Sequence, residues 1–219
     1  MSLTYAIGDI HGALHKLREL VGRCEAHAGG RPHRYVFIGD YIDRGPDSAG
    51  VIRFLIELEE KMSDSMVTLM GNHEALLLAV IGGAALPENW FWQGGKETLR
   101  SYGVVDARAL PHEHVDWLRA RRLTYDDGQR FFVHAGVDPE RPLDDQVEDV
   151  LLWIREPFLS DRRDYGRLIV HGHTPVTGDG PDLRNNRLDI DTGAGYGGPL
   201  TAAVFSEVAT APLGFLAVG

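Results

Sequence analysis

Cysteine is almost missing from this chain. Cys24 stands alone, so no internal disulfide and no thiolate metal cluster can form. It falls on the apolar stripe of the first expected helix, which predicts core packing, and a reducing cytoplasm is the expected compartment. Long apolar runs are also missing: no stretch reaches the ~20 residues of a membrane-spanning helix. The opening residues enter a strand at once and lack a charged-then-apolar leader. Basic residues are outnumbered, with 22 Lys and Arg against 32 Asp and Glu and a formal net charge of −10. That balance excludes a general nucleic-acid binder. It does not exclude an anionic substrate, because bound cations can reverse the local field.

What the chain does have is glycine, 26 in 219 residues, with 43% apolar residues, the composition of a loop-rich globular protein of one domain. Many of these glycines end strands. Tyr35–Ile38 reads as a buried strand and runs into Gly39-Asp40-Tyr41-Ile42-Asp43-Arg44-Gly45, before a helix start at Pro46-Asp47-Ser48. Leu3–Ile7 runs into Gly8-Asp9-Ile10-His11-Gly12, and Met66–Met70 into Gly71-Asn72-His73-Glu74. Phe131–Val133 leads to His134-Ala135-Gly136, and Leu168–Val170 to His171-Gly172-His173-Thr174-Pro175. One such loop is an ordinary capped turn. Five of them, each carrying Asp, Asn or His at the carboxyl end of a strand, describe a site, because open α/β sheets place ligands there.

Between the strands the periodicity predicts helices over about 13–26, with Leu14, Leu17, Val21 and Cys24 on one face, and over about 48–62, with Val51, Leu55, Leu58 and Met62. A third helix opens at Glu74, and its run Ala75–Ile81 is apolar on every side, which predicts deep burial. Residues 82–122 break the strand–helix rhythm and read as an inserted helical cap, with a polar helix over about 113–121. Its tryptophans are expected to pack the cap on the core. His112 and His114 are expected in a loop, and Arg119, Arg121 and Arg122 at the surface. From Thr124 onward the chain is strand-rich, with a short helical segment over about 144–153 and a hairpin turn at Asn185-Asn186. The expected fold is α/β: two mixed sheets packed as a sandwich with helices outside. Gly193, Gly195 and Gly198 have the spacing of a dinucleotide-binding fingerprint. Pro199 and the apolar run after it open no helix, so that reading is rejected.

The residue types define a chemistry. Asp9 and His11, two apart at a strand end, point the same way if the segment is extended. Asp40 has two oxygens to bridge two cations, Asn72 a neutral amide oxygen, and His134 and His173 an imidazole each. Oxygen and nitrogen donors without sulfur suit Mn²⁺, Fe or Zn²⁺, with Ni²⁺ and Co²⁺ also compatible. Two such ions would clamp a phosphate and ionise a bridging water for in-line attack. His73, beside Asn72, is the candidate acid for the leaving oxygen, with Asp43 to fix its tautomer. Arg44 can fork onto phosphate oxygens. His171 is expected behind the ligands or in the core.

These motifs, in this order over residues 8–175 and extended by Ile190–Ala194, resemble the phosphoprotein phosphatase family of calcineurin-like metallophosphoesterases, most of all its short bacterial and phage serine/threonine phosphatases. The resemblance implies that Asp9, His11 and Asp40 hold one metal and that Asp40, Asn72, His134 and His173 hold the other. It implies that His73 is the acid paired with Asp43, that Arg44 binds phosphate, and that the segment Leu152–Glu156 supplies a second phosphate arginine, Arg155. It implies a β-sandwich fold, two divalent ions, Mn²⁺ first, and a phosphoprotein or small phosphorylated substrate. Symmetrical dinucleoside tetraphosphate hydrolases share the motifs. They tend to lack the acid corresponding to Asp43 and to be longer at the C-terminus, so serine/threonine phosphatase is the expected activity and tetraphosphatase the alternative. Phosphotyrosine, a nuclease and a catalytically silent binding module are more remote readings.

Overall fold

The structure, a computed structural model, describes residues 2–178 and 180–219. Two five-stranded sheets form its centre. The first holds β1 (Leu3–Ile7), β2 (His33–Phe37), β3 (Met66–Thr68), β9 (Leu200–Ser206) and β10 (Gly214–Val218) in the order β10-β9-β1-β2-β3. The second holds β4 (Thr124–Asp126), β5 (Arg130–Val133), β6 (Leu168–His171), β7 (Asp182–Leu183) and β8 (Arg187–Asp189) in the order β4-β5-β6-β8-β7. Strands β1, β2 and β3 are parallel, as are β5, β6 and β8, while β4, β7, β9 and β10 pair antiparallel. The expected mixed sandwich is therefore present, and the β7–β8 hairpin turns at Asn185-Asn186 as the sequence predicts.

Alternation along the strands assigns the faces. In the first sheet Ala6, Val36 and Val67 face the second sheet and join Phe132, Val170, Leu188 and Phe205 in the layer between them. Their neighbours Leu3, Tyr5, Ile7, Tyr35, Phe37 and Met66 face outward, onto α1 (Leu14–Ala28) and α2 (Ser48–Met62). Cys24 lies fully buried in this outer layer, as its place on the helix stripe predicts. On the far side Phe131, Val133 and Ile169 take Leu151 of α7 (Glu148–Trp153) and Phe158.

Expectations about the third helix, about His112 and His114, and about Arg121 need correction. Helix α3 (Asn72–Gly82) buries Leu77 and Val80, but Leu76, Leu78 and Ile81 are only half covered. Segment 82–122 contains α4 (Pro87–Trp92), α5 (Gly95–Tyr102) and α6 (His112–Arg119). It sends Trp90, Leu99, Val115, Trp117 and Leu118 into the same layer as α1 and α2, so its burial is shared with the main core. His112 and His114 are helical, and His114 is buried with Nδ1 2.7 Å from Tyr102 Oη. Arg121 is not a surface residue: it is bonded to Glu59 and Thr68 and stacks on Trp117, with its Cζ 4.0 Å from the ring centroid. A guanidinium can be buried this way because its stem packs while its head is paired.

Among the described residues no helix is long and apolar enough to cross a membrane.

Candidate metal and phosphate site

Parallel strands point their carboxyl ends the same way, so the loops after β1, β2, β3, β5 and β6 gather at one edge of the sandwich. Among the described residues six non-glycine residues have positive φ. Five of them are site candidates: His11 (46°), Asp40 (52°), Asp43 (71°), Arg44 (66°) and His173 (68°). Left-handed backbone costs an ordinary residue about 1–3 kcal/mol and persists where surrounding contacts over-determine it. Here the strain collects at the strand ends that carry the polar side chains.

Much of that over-determination comes from Glu74, which sequence reading took only as a helix start. Its buried carboxylate accepts from the backbone N–H groups of Asp40 (2.9 Å), Tyr41 (2.9 Å), Ile42 (3.2 Å) and Gly71 (3.0 Å). Burial first, then the charge of Asp40, pushes its carboxyl up to about 8 against these four donors. Glu74 thus ties the loop after β2 to the start of α3. Its signal was the Glu at the third helical position, the position of a reciprocal cap.

Two groups of donor atoms share Asp40. His11, Asp40 and His73 form one, and Asp40, His134 and His173 the other; within each group the ligating atoms lie within 4.8 Å of one another. All are buried. The hydrogen bonds fix which nitrogens face inward. His11 Nδ1 donates to Ile42 O (2.8 Å) and His134 Nδ1 to Ile38 O (3.0 Å), so each turns an Nε2 lone pair inward. His134 Nε2 then stands 2.8 Å from Asn72 Oδ1 and 3.4 Å from Asp40 Oδ1, with His173 Nδ1 2.9 Å from the same Asn72 oxygen. His134 Nε2 thus sets a lone pair against the Asn72 and Asp40 oxygens, an arrangement that a cation would reconcile. Burial lowers the pKa of His134 and pushes His11 and His173 down to about 3, which keeps the rings neutral, as ligation requires. The buried Nε2 of His173 and Oδ2 of Asp191 have no hydrogen-bond partner. The residues therefore fit a pair of divalent cations.

The path of the chain between Asp9 and His11 differs from the expectation. The segment after β1 is not extended, because His11 turns left-handed, so alternation does not set Asp9 and His11 on one face. The Asp9 carboxylate accepts from His173 N–H (3.2 Å to Oδ2), which sets it against the second donor group. Burial, then the charges of Asp191, Asp40 and Asp189, raises its carboxyl well above the usual range. Asp189 and Asp191 are buried carboxylates that sequence reading did not single out. Asp189 ends the last parallel strand, β8, and Asp191 follows it, and that position was the available signal.

His73 and Asp43 meet as the spacing suggests: His73 Nδ1 is 2.7 Å from Asp43 Oδ2. Burial works against protonation of His73, but the carboxylates of Asp40 and Asp43 more than offset it and raise its pKa. Asp43 is itself held from the inserted segment, by Trp90 Nε1 (2.8 Å to Oδ2) and Thr98 Oγ1 (2.6 Å to Oδ1). Neither contact was visible in the sequence. Arg44 forks onto His11 Nε2 (2.7 Å) and His73 Nε2 (3.0 Å). Arg155 is exposed beside the second group, its Nε 3.4 Å from Thr174 Oγ1. His171 is fully buried against the Phe158 ring, with centroids 5.0 Å apart, and touches Gly172 O rather than either donor group.

A symmetrical bis(5'-nucleosyl)-tetraphosphatase of Nitrosospira multiformis is 35% identical over 135 residues, covering 62% of this chain and 44% of the relative. The chain thus spans less than half the length of that protein. The asymmetrical bis(5'-nucleosyl)-tetraphosphatase PrpE of Anoxybacillus flavithermus is 29% identical over 231 residues, covering 93% of this chain and 91% of the relative. A crystal structure provisionally described as a diadenosine tetraphosphatase superposes with a TM-score of 0.73 at 24% identity, over 99% of this chain and 92% of the other. The profile of one family, calcineurin-like phosphoesterase, matches residues 3–198, and the chain belongs to that family.

Proposed function

We propose that this single-domain chain hydrolyses a phosphoric ester or anhydride bond at a pair of divalent cations, Mn²⁺ first, with a dinucleoside polyphosphate as the substrate. The observation that carries the chemistry is the convergence of His134, Asn72, His173, Asp40 and His11, with the His134 Nε2 lone pair set against the Asn72 and Asp40 oxygens. Asp40 would serve both cations, with His11 on one side and Asn72, His134 and His173 on the other; Asp9 backs the set through His173 N–H. Bound there, the cations would polarise the phosphoryl oxygens and ionise an attacking water. His73 hands a proton from Nε2 to the leaving oxygen while Asp43 holds Nδ1–H. Arg44 leaves His11 and His73 for phosphate oxygens, and Arg155 closes on the other side. Cys24, lone and buried, fits a cytoplasmic setting.

The names of the relatives support the dinucleoside polyphosphate over the phosphoprotein. A serine/threonine phosphatase is the second reading, favoured by the intact His73–Asp43 pair. The deciding experiment compares kcat/KM for diadenosine tetraphosphate with that for phosphoserine and phosphotyrosine peptides in Mn²⁺. A preference of tenfold or more for the dinucleotide is expected. A preference for a peptide reverses the order, and no activity on any of them with metal bound removes the enzymatic reading.

A further inference from the structure

The glycine-rich turn 193–198 has no part in the chemistry above, yet it lies on the site. A Cβ at Gly195 would come within 2.7 Å of His11 Cδ2, so only a bare backbone fits against that ring. The residue the turn presents is Tyr196, 67% exposed. One face of its ring covers the Arg44 guanidinium, whose Cζ is 4.6 Å from the centroid. The other end of the donor set has a counterpart. Trp153, the last residue of α7, is 40% exposed and stands edge-on to His173, with centroids 6.0 Å apart and planes at 84°.

The contacts give an order across the site: Tyr196, Arg44, His11 with His73, the shared Asp40, His134 with His173, and Trp153. Each end offers an exposed aromatic ring, and each has an arginine nearby, Arg44 or Arg155. Neither ring is spent on the core.

We propose that Tyr196 and Trp153 are the base platforms of this site, each taking the face of one purine while the phosphate chain lies over the donor set between them. The proposal rests on the phosphoesterase reading above and narrows its substrate to a phosphate chain with a base at each end. Base–aromatic stacking tolerates any base, because every base has a π-face. On Tyr196 a purine would extend an existing stack of guanidinium and ring. A phosphoserine side chain has nothing to set on either ring.

Calorimetry on the Mn²⁺-loaded protein tests this with two probes: a methylene-bridged, non-hydrolysable diadenosine tetraphosphate and inorganic phosphate. Tyr196→Ala and Trp153→Ala should each weaken the dinucleotide by about 5- to 150-fold. Tyr196→Phe should retain most of the affinity, and phosphate should bind all variants within about twofold of the unsubstituted protein. Dinucleotide affinity unmoved by both alanine substitutions overturns the proposal. So does an equal loss for both probes in Tyr196→Ala, since Tyr196 would then only prop Arg44. If phosphate binds but the dinucleotide binds no tighter, the platforms fall and the phosphoesterase reading stands. If neither probe binds, both fall.

Discussion

The Asp43 carboxylate accepts hydrogen bonds from His73, Trp90 and Thr98, which leaves it one orientation and leaves His73 one tautomer. His73 also stands in a donor group, with Nε2 3.8 Å from Asp40 Oδ2. One substitution separates the two roles. His73→Asn should cut hydrolysis of substrates with poor leaving groups by about 10²–10⁴-fold, while elemental analysis still finds two Mn²⁺ per chain. Unchanged turnover would remove His73 as the acid, and loss of one Mn²⁺ would make it a ligand instead. Cys24 gives a second residue-scale prediction. Burial pushes its thiol up to about 12, so almost no thiolate exists at neutral pH. A thiol-reactive reagent should leave the folded protein unmodified and label one site per chain only in denaturant; labelling of the native protein would contradict its burial. Both residues were legible in the sequence, His73 from its neighbour Asn72 and Cys24 from the helix stripe. The partners of Asp43 were not, because Trp90 and Thr98 are separated from it by 47 and 55 positions and approach through the packing of α4 and α5.

At the scale of elements, the join between β2 and α3 is made by Glu74, whose carboxylate serves four backbone N–H groups. An amide offers one acceptor oxygen and turns an NH₂ toward the remaining donors. Above about pH 8, where Glu74 is ionised, Glu74→Gln should therefore destabilise the protein by about 1–3 kcal/mol through unpaired buried N–H groups. In urea the midpoint should fall with an unchanged slope; an unchanged midpoint would show that the loop is held by other contacts. Helices α1 and α2 and most strands were readable to within a few residues, because one face of each is buried and the period shows. In segment 82–122 only the helix over about 113–121 was located, while α4 and α5 were not. Its helices are short and their apolar residues irregular, since they fill a surface already shaped by α2 and α3 rather than building a stripe of their own.

For the whole molecule, a charged cluster is buried at the junction of two sheets, and its stability depends on what neutralises it. Mn²⁺ at about 100 times its Kd should add about 2.7 kcal/mol per site, about 5.4 kcal/mol for two sites, so chelation should lower Tm by about 10–20 °C in a chain of this size; an unmoved Tm would mean that no metal binds. With chelator present, pH supplies a second test. His11, His171 and His173 are held to about 3 when folded, by burial first, whereas unfolded imidazoles bind protons below about 6.5. Between those values the unfolded state binds more protons. The stability contributed by the neutral rings is thus complete above about 6.5 and is lost as pH falls toward about 3; a flat acid limb would show that the rings are not buried neutral. The sequence by itself determined the two-sheet sandwich, the edge where ligands gather and the donor types that gather there, because hydrophobic period and strand-end glycines are local properties of the chain. Only the tertiary structure decided that Asp9 accepts from the His173 N–H, that Glu74 holds the loop after β2, that Tyr196 covers Arg44 and that Trp153 stands edge-on to His173. Those relations join residues from different sheets and loops, and no local pattern encodes the distance between them.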